Sequence, residues 1–132
     1  MALFSLKVVT SNGIFFDEEV DMAIVRCVNG DIGILKGHAP LISLIGIGKL
    51  KIKQNGKIKE AAIAGGYIEV NKEDVLIVCD AIEWPNEIDI ERVKEAKKRA
   101  EERLRNPDGI DVARAEVALK KAINRINTAE IQ

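Results

Sequence analysis

One histidine, His38, and two cysteines, Cys27 and Cys79, are the side chains best suited to nucleophilic or metal chemistry in this sequence. They form no Cys-x-x-Cys or Cys/His cluster. A single imidazole cannot furnish the several histidine ligands of many zinc sites, nor a mechanism that needs a second titrating imidazole. No Gly-x-Ser-x-Gly elbow, P-loop or His-Glu-x-x-His is present. Each cysteine sits inside a β-like apolar run and reads as a small buried hydrophobe. Two are too few for a disulfide scaffold, and a reducing cytoplasm fits them best. No catalytic residue, no metal ligand and no required cofactor is therefore expected, and the composition favours a binding or structural role.

Charge narrows that role. Twenty Lys and Arg face 21 Asp and Glu, a net charge of −1, without the basic excess of a nucleic-acid binder. The longest apolar stretch, about Leu41–Gly48, falls well short of the roughly 18 residues a membrane span needs, so no direct insertion is expected. Met1–Thr10 shows no secretory signal.

The elements that must position these residues follow two grammars. The 132-residue length suits one domain, or one with a small appendage. Nine of the ten glycines precede Trp84-Pro85-Asn86, and charge density rises after it. Pro85 cannot donate to a ladder and biases Trp84 toward an extended backbone, which gives the boundary a mechanism. The expected domains are residues 1–84 and 85–132.

The first reads as about ten short strands in a β-sandwich. Leu50–Gln54 and Lys57–Glu60 alternate around Asn55-Gly56, a strong hairpin signal, since both central residues of a type I′ turn need positive φ. Leu50, Ile52 and Ile58 are expected inward and the lysines outward. Gly65-Gly66 inside a strand pattern predicts a bulge or a close backbone approach.

The second reads as an antiparallel two-helix hairpin, which makes the fold class α+β. Ile90, Val93, Ala96, Ala100 and Leu104 form one apolar stripe behind an Asp89 cap. Asn106-Pro107-Asp108-Gly109 breaks it. Asp111 then caps a second stripe of Val112, Ala115, Ala118, Leu119, Ala122, Ile123 and Ile126. At about 25 cal/mol per Å² of apolar surface, an alanine-lined seam between short helices is weak, so the hairpin is expected to be conditional. Ile88-Asp89-Ile90-Glu91-Arg92 and Ile110-Asp111-Val112-Ala113-Arg114 share an Ile-Asp-(Ile/Val)-x-Arg pattern. Either both are capped helix starts or the first copy also meets a ligand.

Gly30, Gly33, Leu35, His38, Pro40 and Leu41 match the G-x-x-G-x-L-x-x-H-x-P-L pattern of the ATP synthase epsilon subunit, which the chain resembles over essentially its whole length. Gly65-Gly66-Tyr67-Ile68-Glu69-Val70 is similar to that family's G-G-aromatic-x-E-V segment. The resemblance implies a non-catalytic rotor part of a bacterial F-type ATP synthase. Its β-sandwich would meet the gamma subunit and the c-ring at the cytoplasmic face of the membrane, as a peripheral component coupling ion flow to ATP synthesis. Gly30, Gly33, His38, Pro40 and Leu41 become subunit-contact candidates, and the Asn55-Gly56 hairpin a further contact loop. The helical tail would lie folded or extend into the alpha/beta catalytic head and inhibit ATP hydrolysis. Arg103, Arg105, Arg114 and Lys120 are then candidates for that inhibitory contact, while Glu95–Arg99 and Glu101–Arg105 are spaced as helix-stabilising i,i+4 pairs.

Some relatives bind ATP on the folded hairpin without hydrolysing it. By that resemblance Glu83, Ile88, Asp89, Arg92, Arg99, Lys121 and Arg125 are candidate ATP-binding positions, with ATP as a regulatory ligand. Val93 stands where those relatives have alanine, and Lys121 where arginine is usual, so weaker binding is expected. A second reading is a stand-alone ATP-binding sensor or adaptor, which would form no stable complex with rotor subunits.

Overall fold

The computed structural model describes residues 2–130; residues 1, 131 and 132, which the expected domain limits include, lie outside the described residues. The chain divides after Glu83 into two compact units. The first holds seven strands: β1 (Phe4–Thr10), β2 (Gly13–Val20), β3 (Met22–Cys27), β4 (Gly30–Ile34), β5 (Leu41–Gln54), β6 (Lys57–Val70) and β7 (Asp74–Glu83). They pair in the order β2-β1-β7-β6-β5-β3-β4, antiparallel throughout except for β1 beside β7.

The sandwich arises because β5 and β6, 14 residues each, are long enough to serve both layers. The part of β5 near its turn carries β3, which pairs Met22–Val25 with Leu50–Lys53. The distal part of β6 carries β7, from Ala62 to Val70. The layers meet again where Gln54 Nε2 donates to Glu18 Oε1 at 3.1 Å and to the Glu19 carbonyl at 2.9 Å. Between them lie Leu6, Val8, Val20, Val25, Ile34, Leu50, Ile52, Ile68 and Ile77, all fully buried.

Seven strands form, rather than about ten, because two of them are long. Leu41–Gly48 and Leu50–Gln54 form one strand, and Lys57–Glu60, Ala61–Ala64 and Tyr67–Val70 form another. The glycines between them do not end the ladders. Gly66 instead permits the expected close approach: at φ +110° a Cβ there would overlap the Val78 carbonyl, a position only glycine fills without strain.

The Asn55-Gly56 turn forms with φ of 54° and 75°, as a type I′ turn requires. Its register corrects one expectation. A two-residue turn sets Gln54 opposite Lys57, so Ile52 faces Lys59 and Lys53 faces Ile58. Directly opposed antiparallel residues share a sheet face, so Ile58 lies on the outer side and is 64% exposed. Lys51 and Glu60, also opposite, form an ion pair at 3.8 Å.

The second unit opens with Pro85–Glu87, a single 3₁₀ turn held by Glu87 Oε1 accepting from the Trp84 N–H at 2.8 Å. Helices α1 (Ile90–Arg105) and α2 (Val112–Ala129) pack as a hairpin. Asp89 and Asp111 accept from the N–H of Arg92 and Arg114 at 3.2 and 3.1 Å, so the shared sequence pattern marks two matching caps. On α1 the expected stripe turns inward, with Val93 and Ala100 buried and Ile90, Ala96 and Leu104 half-buried. On α2 the buried line is narrower than expected. Ala115 and Ala122 are buried, whereas Val112, Ala118 and Ile123 are exposed. A stripe seven residues strong is wider than one neighbouring helix covers.

Candidate functional site

The motif residues run along β4 and through the loop that joins it to β5. Gly30 begins β4 opposite Cys27, and Gly33 lies opposite Ile24. The connection from β4 to β5 is tied down by the Gly37 N–H, which donates to the Lys72 carbonyl at 3.1 Å. His38 is half-buried, its N–H donates to the Leu35 carbonyl, and its Nδ1 lies 2.7 Å from the Ala39 carbonyl. That contact requires the Nδ1–H tautomer or the imidazolium, so the ring's polar edge serves the loop itself. Pro40 is exposed and Leu41, half-buried, starts β5. The loop is thus a fixed, partly apolar protrusion rather than a reactive centre.

Next to it lies a feature that the motif reading missed. Register aligns Leu44, Tyr67, Val78, Val9 and Ile14 in one row across β5, β6, β7, β1 and β2. Leu44, Tyr67 and Ile14 are 63%, 42% and 61% exposed, and Val78 and Val9 are half-buried. Ile42, 73% exposed, adjoins the row, and Val28 reaches it through its N–H bond to the Leu44 carbonyl at 3.0 Å. A contiguous apolar band of this kind on a polar-rimmed surface marks an interaction face. The signal was present in Leu41–Ile45, where apolar residues occupy both phases of the alternation; a strand with one wet face would alternate cleanly.

Both thiols are buried and free. Burial raises the Cys27 thiol and pushes that of Cys79 up to about 11. Neither has the lowered pKa of a reactive cysteine.

Six of the eleven cations of the helical unit fall into two lines. Arg92, Arg99 and Arg103 are spaced by seven and four on α1, and Arg114, Lys121 and Arg125 by seven and four on α2. At 3.6 residues per turn each trio stays within about 40° of one line. Arg103 and Arg114 line a common groove of about 550 Å³ at the turn between the helices, with Ile110, Asp111, Ala115 and Ala118. The helices run antiparallel, so from that groove Arg99 and Arg92 follow one rim while Lys121 and Arg125 follow the other. Arg105 and Lys120 are exposed but lie about 100° or more off those lines. The four candidates for the inhibitory contact therefore divide into two that share a groove and two that do not. Of the candidate nucleotide positions, Glu83 ends β7 opposite Ala62 in the strand unit. Ile88 closes the 3₁₀ turn, Asp89 caps α1, and Val93 is fully buried.

Two family models divide the chain between them. Residues 3–85 match the ATP synthase Delta/Epsilon chain beta-sandwich domain, and residues 86–130 the long alpha-helix domain of the same chains. The class is therefore that of the ATP synthase delta and epsilon chains. The ATP synthase epsilon chain of Caldicellulosiruptor saccharolyticus is 50% identical, over 98% of this chain and 96% of its own. That of Alkaliphilus metalliredigens is 52% identical over 93% and 92%, and that of Bacillus pumilus 41% identical over 98% of each. The chain belongs to the ATP synthase epsilon chain family, whose members are non-catalytic subunits of that complex. The fold is also similar to that of a chain in the Euglena gracilis mitochondrial ATP synthase, with a TM-score of 0.85 at 24% identity, covering 100% of this chain and 83% of that one. Among the described residues no helix is long and apolar enough to cross a membrane.

Proposed function

We propose that this epsilon chain is a central-stalk rotor subunit that grips gamma with its strand unit, meets the c-ring with the motif loop, and carries its helical hairpin as a brake on ATP hydrolysis. One observation carries the reading: the exposed apolar row Leu44–Tyr67–Val78–Val9–Ile14, beside a tied-down loop that bears the family motif. A rotor part must transmit torque without catalysing anything, and a firm apolar face spanning five strands suits that task. The attachment places the chain at the cytoplasmic face of the membrane, held through its partners.

The brake follows from the seam between the helices. Its buried side chains are chiefly Val93, Ala100, Ala115 and Ala122, so little apolar area is lost when the hairpin opens. Arg103 and Arg114, with Arg105 and Lys120, become available to acidic surfaces of the catalytic head, where complementary charge sets orientation more than raw affinity. ATP fits as a regulatory ligand of the folded form. Arg92 and Arg99 on one rim and Lys121 and Arg125 on the other supply phosphate partners, and Ile88 and Asp89 are the positions left for base and ribose within the helical unit. A ligand confined to the folded form shifts the population away from the extended one.

The test adds the chain back to a gamma-containing catalytic head stripped of it, as residues 1–132, as a version ending at Glu87, and as Leu44→Glu/Tyr67→Glu. The first two are expected to co-elute with the head, and only the first to slow hydrolysis; the double variant should stay folded but fail to co-elute. Co-elution of the double variant equal to that of the native chain would refute the apolar face as the grip. Failure of every version to associate would favour a stand-alone nucleotide sensor.

A further inference from the structure

We propose that a notch on the strand unit, between the β2–β3 corner and the chain that leaves β4, binds an apolar α-amino acid, with Asp21 receiving its ammonium group and Lys36 and Lys53 its carboxylate. Neither the grip on gamma nor the helical hairpin enters into it.

Asp21 is the single residue between β2 and β3. Its N–H donates to the Lys53 carbonyl at 2.9 Å, and the next residue, Met22, lies opposite Lys53 on β5. Val20 and Ala23, on either side of the corner, are fully buried. The backbone that carries the carboxylate is therefore held from both directions. Asp21 Oδ1 is shut off from solvent, and it is the one buried side-chain nitrogen or oxygen among the described residues with no hydrogen-bond partner. An acceptor left in that state forfeits its hydration without return, and a charged one forfeits most. Two other carboxylates of this layer have found cations, Asp31 in Arg26 at 2.7 Å and Glu60 in Lys51 at 3.8 Å. Asp21 has Lys36 and Lys53 on the walls of its own notch, and Oδ1 bonds to neither.

The notch holds about 400 Å³ and is lined by Ala2, Asp21, Met22, Leu35, Lys36 and Lys53, a size suited to a small molecule. Met22 and Lys53 share a sheet face because they are directly opposed. On the other side of β3, Ala23 opposes Ile34, so the chain leaving β4 carries Leu35 and Lys36 past the same corner. Leu35 is 60% exposed and Met22 half-buried, apolar surface that a ligand would cover.

These groups select the occupant. Oδ1 needs a donor, and a charged donor is favoured because ionic hydrogen bonds are roughly twice as strong as neutral ones. A bare amine is repelled by two lysines that outnumber the one carboxylate. A bare carboxylate leaves Oδ1 unpaired. An ammonium and a carboxylate on one molecule serve all three side chains, and a short aliphatic body suits Ala2, Met22 and Leu35, with the Met22 thioether adapting to its shape. Leucine, isoleucine, valine and methionine meet that description. Occupancy joins Lys36, in the loop that bears the family motif, to the β2–β3 corner and β5, so the ligand stabilises the loop in that position.

Amide NMR shifts of the full chain, titrated with L-leucine, test this. Residues 21–23, 35–37 and 52–54 are expected to shift together with one Kd. Isocaproate, which lacks the amine, isoamylamine, which lacks the carboxylate, and glycine, which lacks the body, should each bind at least about tenfold more weakly. Asp21→Asn keeps the shape of the side chain and should lose about tenfold in affinity for leucine. Lys36→Gln/Lys53→Gln, at two exposed positions, should weaken leucine and tighten isoamylamine. Equal leucine binding by the native chain and Asp21→Asn would overturn the proposal, as would the lack of a saturable shift at the solubility limit of leucine. Tighter leucine binding by Lys36→Gln/Lys53→Gln would overturn it differently, by showing that a lysine is the native partner of Oδ1.

Discussion

Replacing Val93 with alanine removes two methyl groups from a side chain that the fold buries completely. At about 0.8 kcal/mol per buried carbon, the transfer loss is about 1.6 kcal/mol, and incomplete collapse of the cavity raises the total toward about 3 kcal/mol. The other fully buried apolar residues of the two helices among the described residues, Ala100, Ala115 and Ala122, carry one methyl each, so Val93 is the largest side chain that the seam buries completely. A stability loss of that size multiplies the open population of the hairpin by roughly 10 to 150. Native-state hydrogen exchange on the full chain reads this directly, as faster exchange of α1 and α2 amides with little change in β5, β6 and β7. In a complex that contains the catalytic head, the same variant should inhibit hydrolysis more strongly at low ATP. Unchanged protection in α1 and α2 would refute the reasoning, since it would mean that this seam does not govern opening. Equal loss of protection in the strands would refute it differently, by showing that the two units do not open independently.

Two further outcomes follow from the strand unit. Gly66→Ala forces a Cβ into the Val78 carbonyl at positive φ, and is expected to cost more than about 2 kcal/mol and lower the melting temperature of that unit by roughly 10 °C; an unchanged melting curve would contradict it. Cys79, raised by burial from 9.0 to about 11, loses its proton more readily in the unfolded chain. Its contribution, about 2–3 kcal/mol, is complete below pH 9 and lost as pH rises toward 11. A Cys79→Ala variant should therefore show a flatter decline in stability over that window, and native Cys79 should resist alkylation at neutral pH until the strand unit unfolds.

Much of this was legible in residue order because the forces involved are local. Asp89 and Asp111 cap their helices because a short carboxylate next to a helix start meets a free backbone N–H whatever the rest of the chain does. Asn55-Gly56 makes its turn because few residue pairs tolerate positive φ twice running. Even the outward turn of Ile58 was implicit, since a two-residue turn sets the parity of both strands. What residue order left open were the matters that depend on neighbours distant in the chain. That Leu41–Gly48 continues into Leu50–Gln54 as one strand was decided by pairing with β6 near both ends and with β3 from Ile45 to Lys53. The apolar row from Leu44 to Ile14 exists only because five strands came into one register, and no single segment announces it. In the same way Arg103 and Arg114, eleven positions apart in the sequence, became one groove only when the two helices packed side by side. Caps and turns were determined by the sequence alone, because their energetics close within a few residues. The faces and grooves that meet partners were decided by the tertiary structure, because each is a sum over elements that only packing assembles.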